Sequence, residues 1–135
     1  MPFVIDASTT ACWAFSDESE PVADAARDQL IYDSAVAPSL WWFEVRNAMI
    51  VNERRKRIGE DDTFAFLARL ALLPVVIDRS PREADILTLA RRHQLTVYDA
   101  AYLELARRRG EPLATLDRKL AAAATAESIA LIGPP

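Results

Sequence analysis

Phe3-Val4-Ile5-Asp6-Ala7-Ser8-Thr9 is an apolar run that stops at an acid and passes into a polar segment. Three apolar residues without alternation suit a strand buried on both faces, and the segment after Asp6 suits a helix, so this reads as the first strand of a parallel sheet. The unit recurs along the chain. Glu20 to Tyr32 carries Ala23, Ala26 and Leu30 at helical spacing, and Ala35-Val36-Ala37 is a second short strand stopped by Pro38. Ser39 is placed to cap a helix from about Leu40 to Arg57, ending before Gly59. A helix from Glu60 to Leu72 then leads into a strand at Val75-Val76-Ile77. Ser80-Pro81-Arg82-Glu83 predicts a capped helix start, with the helix running to His93. Asp99 to Arg109 is helical with Gly110 as its stop, and Leu113-Ala114-Thr115 is a strand. Asp117 opens an alanine-rich helix, and Ile129 to Ile132 is the last strand. This alternation predicts a three-layer α/β sandwich, a mostly parallel sheet covered on both faces, in one domain over residues 1–135.

Composition sets the outer limits. The chain has 135 residues, 51% hydrophobic and 27% charged, enough to bury a real core and unlike a disordered or fibrous sequence. Met1 to Asp6 is too short and too soon charged for a signal peptide, and no apolar run approaches the ~20 residues of a membrane span, so a cytoplasmic protein with no membrane partner is expected. Cys12 stands alone and reads as core. A net charge of −4 argues against a polyanionic partner, but the distribution says more. If four carboxylates are reserved for metal, sixteen charges of each sign remain. Fourteen of the sixteen basic residues are arginine, clustered at Arg54, Arg55 and Arg57 with Lys56, at Arg91 and Arg92, and at Arg107 to Arg109. Such runs suit either a polyanion or solvated helix surfaces.

In open α/β sheets, ligands bind outside the carboxyl ends of the strands, so acids there matter most. Asp6 ends the first strand and Asp117 follows the Leu113 to Thr115 strand, which brings both to one edge. Asp99 opens a helix, and Glu44 shares a helix face with Leu40, Ala48 and Val51. A carboxylate on such a face needs a cation or a proton, because burying an isolated charge costs several kcal/mol or more. With His93 the single histidine and no cysteine cluster, hard oxygen ligands indicate Mg²⁺ or Mn²⁺ rather than zinc. Asp99 and Asp117 also fit as acids at helix N-termini, and Asp6 as a cap. Asp61 and Asp62 fit that role better than any other, and Asp78 is a reserve ligand.

Four segments in order carry a resemblance. They are Val4-Ile5-Asp6-Ala7-Ser8; Pro38-Ser39-Leu40 leading to Glu44-Val45-Arg46-Asn47; Tyr98-Asp99-Ala100-Ala101-Tyr102-Leu103-Glu104-Leu105-Ala106; and Leu113-Ala114-Thr115-Leu116-Asp117. Together they resemble the pattern of PIN-domain ribonucleases, of the kind that form the VapC toxin half of a VapBC toxin-antitoxin pair. The resemblance implies Asp6, Glu44, Asp99 and Asp117 as an acidic quartet, with Ser8, Asn47 and Thr115 as supporting polar positions. It also implies a five-stranded sheet of order 3-2-1-4-5, an RNA substrate, a VapB-like antitoxin that inhibits, and a homodimer. Phosphodiester hydrolysis needs an attacking hydroxide, charge neutralisation at the phosphoryl oxygens and help for the leaving oxygen, roles that one or two divalent ions supply. The helix from Leu40 to Val51, with Trp41, Trp42, Phe43, Val45, Met49 and Ile50, is apolar almost all round, which adds to the dimer expectation.

Other readings fit less well. A phosphotransfer receiver domain wants a lysine after a late strand, and the only lysines are Lys56 and Lys119. A haloacid-dehalogenase-like phosphatase wants a second aspartate where Ser8 stands. A catalytically silent PIN fold that binds RNA or an antitoxin is the non-enzyme alternative; its mark would be a broken quartet.

Overall fold

The computed structural model describes residues 1–15 and 17–134. Its sheet begins with β1, Phe3–Ile5, whose three side chains are all fully buried, as an unalternated apolar strand requires. β1 runs parallel to β2, Ala35–Pro38, with Phe3 beside Ala35 and Val4 beside Val36. β2 in turn runs parallel to β3, Val75–Asp78, from Ala35 beside Val75 to Pro38 beside Asp78. On the other side of β1 lies β4, Leu113–Ala114, again parallel. The order is β3-β2-β1-β4.

Crossovers between parallel strands are right-handed as a rule, and that rule places the helices. α1 (Ala7–Cys12) and α2 (Pro21–Gln29) connect β1 to β2, and α3 (Leu40–Arg54) and α4 (Glu60–Leu70) connect β2 to β3, all moving outward in one direction and so covering one face. α5 (Glu83–His93) and α6 (Val97–Arg109) then carry the chain back across to β4 and cover the other face, followed by α7 (Arg118–Ala126). α6 packs against β1, β2 and β4 and between α5 and α7. Residues 100–106 of α6 are buried without a break, which is why its apolar residues show no single stripe.

The expected fifth strand is not formed among the described residues. Ile129 to Ile132 touches the sheet through one parallel bridge, Leu113 to Leu131, with Leu113 N–H donating to Ala130 O at 2.9 Å and Ile132 N–H to Leu113 O at 2.9 Å. β4 is only two residues long, so it offers one residue to pair on that side. Gly133, at φ 106°, then turns the backbone away. The sheet therefore has four strands rather than the five expected.

Two helix starts also differ from expectation. Ser39 precedes α3, but its backbone is already helical and its side chain makes no capping bond. Beyond β3, Ser80 N–H donates to Asp78 Oδ1 at 3.0 Å and Arg82 N–H to Glu104 Oε1 at 3.2 Å, so a partner on α6 receives the donor and α5 starts only at Glu83. Asp62 behaves as expected of a helix-start acid, accepting from Gly59 N–H at 2.9 Å.

Candidate active site

β1 is where the connections diverge, since the chain leaves it toward β2 and returns on its other side as β4. The crevice outside the carboxyl ends of these strands is the switch point of the sheet. Asp6 sits at the end of β1, 5% exposed, as the cap of α1. Its carboxylate accepts from Thr9 N–H at 2.9 Å, from Ser8 Oγ at 2.9 Å and from Thr115 Oγ1. Ser8 Oγ accepts from Leu116 N–H at 3.2 Å, and Thr115 Oγ1 accepts from Asp117 N–H at 3.0 Å. Two successive backbone donors of the turn after β4 thus reach the Asp6 carboxylate through two hydroxyls. Ser8 and Thr115 thereby orient Asp6 and tie it to the segment carrying Asp117. Even so, burial holds the Asp6 carboxyl above its ordinary range, more than these donors lower it.

The other acids converge from three helices. Asp117 caps α7, accepting from Leu120 N–H at 2.9 Å, as an acid at a helix N-terminus can. Asp99 is not the opening residue of α6, because Thr96 caps that helix and accepts from Asp99 N–H at 3.1 Å. Glu44 is half-buried on α3 and accepts from Tyr102 Oη at 2.7 Å. Burial pushes the Glu44 carboxyl up, and the charges of Asp99 and Asp6 add to that. Burial likewise raises Asp99, with Asp117 and Asp6 adding. The four predicted acids therefore share one electrostatic environment. Asn47, one helical turn beyond Glu44, is exposed and lines a shallow cavity of about 330 Å³ with Ser8, Phe43 and Glu44.

Several sequence candidates lie elsewhere. Asp78, the reserve ligand, is held by Arg108 through two bonds of 3.1 and 3.0 Å, and that guanidinium keeps its carboxyl below the ordinary range. His93 Nε2 lies 2.6 Å from Glu127. Burial pushes the Cys12 thiol up to about 11, as befits a core residue. Much of the arginine is used internally: Arg57 pairs with Asp17 and Glu18, Arg92 and Arg107 with Glu127, and Arg109 with Glu111. Among the described residues, Arg54, Arg55 and Lys56 carry no salt bridge. Tyr102 is the site residue that sequence reasoning missed, although its spacing of three from Asp99 puts both on one face of α6.

Among the described residues, no three acid, histidine or cysteine side chains close to ligand distance around one point. Carboxylates are hard oxygen donors of the kind Mg²⁺ and Mn²⁺ take. Half-buried carboxylates that raise one another's proton affinity are a donor set in need of a cation. A linkage follows. Asp6, Glu44 and Asp99 hold a proton more tightly folded than unfolded, so they subtract stability as pH rises from the ordinary carboxylate range through their raised values. A divalent ion held by these carboxylates would have to displace those protons. The rise in Tm on adding Mn²⁺ is expected to be larger at about pH 7.5 than at about pH 5. Asp78 and Glu127 shift the opposite way, and their contribution is already complete across that window. An increment independent of pH in differential scanning calorimetry would contradict the site.

The chain is a small parallel α/β sandwich with carboxylates at the switch point of its sheet. A model of the PIN domain matches residues 3–126, a span that includes all four acids, and the chain belongs to the PIN-domain family. It is 35% identical over 124 residues to Ribonuclease VapC3 of Pyrobaculum aerophilum, covering 90% of this chain and 93% of that one, which places it among the VapC-type members. Solved structures share the fold. PAE2754 of Pyrobaculum aerophilum superposes with a TM-score of 0.72 at 24% identity, over 91% of this chain and 84% of that one. VapC20 of Mycobacterium tuberculosis, described as a Sarcin-Ricin loop cleaving toxin, superposes with a TM-score of 0.68 at 15% identity, over 98% and 99%.

Proposed function

We propose that this chain is a Mg²⁺- or Mn²⁺-dependent endoribonuclease, the toxin of a type II toxin-antitoxin pair, acting in the cytoplasm. The convergence of Asp6, Glu44, Asp99 and Asp117 on one crevice carries the reading. The ribonuclease named among its relatives supports it. Asp6, Asp99 and Asp117 would hold the ion, and Glu44 would hold an ion or orient water. Bound there, a divalent ion neutralises charge on the phosphoryl oxygens and activates water for attack. Ser8 and Thr115 keep Asp6 in place, and Asn47 faces the substrate from the cavity beside Glu44.

The deciding experiment is incubation of the purified chain with total RNA in Mg²⁺, in Mn²⁺ and in chelator, followed by mapping of the cut ends. Products with a 5′-phosphate and a 3′-hydroxyl, formed only with metal, are expected. Cleavage in chelator would overturn the metal reading; no cleavage under any condition would favour the silent binding module.

Two partners belong to the proposal. The exposed Trp42, Phe43 and Ile50 of α3 support a homodimer, to be checked by sedimentation at micromolar concentration, where a monomer would contradict it. A VapB-like antitoxin is proposed to inhibit by placing an Arg or Lys against the four carboxylates, where a guanidinium makes two charge-assisted bonds. Its affinity is then expected to fall as Mg²⁺ rises. Metal-independent affinity, together with full inhibition by every Arg→Ala variant of its tail, would leave remote steric blocking as the better account.

A further inference from the structure

Tyr102 heads the largest fully buried side chains, at 1% exposure. Its hydroxyl donates to Glu44 Oε1 at 2.7 Å across 58 positions of sequence. A carboxylate oxygen has lone pairs and no proton to give, so the phenol supplies the proton of this bond. Glu44 must then accept. A buried tyrosine needs a hydrogen-bond partner, and any backbone carbonyl would serve. Here the partner is instead a half-buried carboxylate of the acid crevice. One hydroxyl thus ties α3 to α6, which itself packs against β1, the strand that leads into Asp6.

We propose that Tyr102 is a positioning residue that fixes the Glu44 carboxylate relative to Asp6 for capture of a divalent cation. The inference rests on the metal-dependent reading above. A free glutamate loses rotamer freedom when it binds an ion, and the phenol has removed that freedom beforehand. Tyr102 touches neither substrate nor ion in this role; it acts through Glu44.

Calorimetric titration of the full chain with Mn²⁺ tests it, comparing wild type, Tyr102→Phe, Glu44→Gln and the double variant. Tyr102→Phe keeps the ring and removes only the oxygen. It is expected to weaken Mn²⁺ binding by about tenfold or more, in line with other groups that orient metal ligands. It should also lower kcat on RNA while leaving KM unchanged. In the Glu44→Gln background the same substitution is expected to add less than about twofold, because the residue through which it acts has already lost its charge. Unchanged affinity, or an equal loss in both backgrounds, would overturn the proposal. Glu44→Asp keeps the charge but withdraws it from the phenol, and a loss of about tenfold is expected there too. Full affinity in that variant would overturn the proposal even if Tyr102→Phe did not fold. Wild-type chain that binds Mn²⁺ but cuts no RNA would sink the ribonuclease reading, while the calorimetry still decided Tyr102. Failure of the wild type to bind Mn²⁺ would overturn both.

Discussion

Asp6→Asn is expected to lower kcat for RNA cleavage by on the order of 10³-fold, the upper part of the range for losing one electrostatic group of an active site. The fold should survive, because the side-chain shape is unchanged and the site can accommodate an amide. Asn Oδ1 can still accept from Thr9 N–H, which now caps α1 at 2.9 Å. The amide nitrogen would face Ser8 and Thr115, whose hydroxyls donate to Asp6 in the native chain. Either hydroxyl can turn and accept instead, since each has a free lone pair beyond the one given to Leu116 or Asp117 N–H. Removing a buried charge that carries a raised proton affinity should also raise Tm in chelator. Mn²⁺ should then stabilise the variant less than it does the native chain. Native turnover in Asp6→Asn would remove the site assignment, whereas lost turnover with lost structure would show that the substitution tested the cap alone.

Asp6 was legible because everything that marks it is local: an unalternated apolar strand, an acid at its end, and small polar residues that can begin a helix. Thr115 and Asp117 repeat that logic at β4. Glu44 was legible for the opposite reason, as an acid among apolar residues on a helix face. What supports these residues was not legible. The Tyr102 to Glu44 bond joins two helices 58 positions apart, and the Thr115 to Asp6 bond spans 109. Such pairings depend on strand order and helix packing, which no window of sequence contains. The last strand failed on the same ground. Ile129 to Ile132 has strand composition, but pairing needs a neighbour of matching length, and β4 provides two residues. Ser80 has a capping residue's chemistry and lies before a helix, yet the long-range acceptor Glu104 sets where α5 begins. The arginine run at 107–109 likewise reads equally as RNA contact or helix surface until its partners are known.

Arg108→Ala is expected to be the most destabilising single change outside the apolar core, at about 3 kcal/mol or more, the usual cost of leaving a buried charge without its partner. Glu104 is 3% exposed and takes Arg108 Nε at 2.7 Å, while Asp78 takes the two terminal nitrogens. A single guanidinium therefore joins the centre of α6 to the end of the edge strand β3. For a chain of this length the loss corresponds to a fall in Tm of roughly 10 °C. Adding Glu104→Gln to the variant should recover part of it, because the orphaned charge and not the missing bond is the larger cost. The sign with pH follows from Asp78. Arg108 holds that carboxyl below its ordinary range, so its contribution is present above the ordinary value and is lost as pH falls through the lowered one. The gap in Tm between the native chain and Arg108→Ala is expected to narrow as pH falls below about 4, where Asp78 begins to bind a proton in the unfolded chain while Arg108 still holds it ionised in the native fold. Turnover separates this network from the site. Arg108 lies nine positions beyond Asp99 on α6, roughly 13 Å along the helix axis, so cleavage assayed well below the variant's Tm should stay within a few-fold of native. A Tm within 2 °C of native would mean that solvent already screens the pair, and a collapse of turnover in a variant that is still folded would mean that Arg108 belongs to the active site after all.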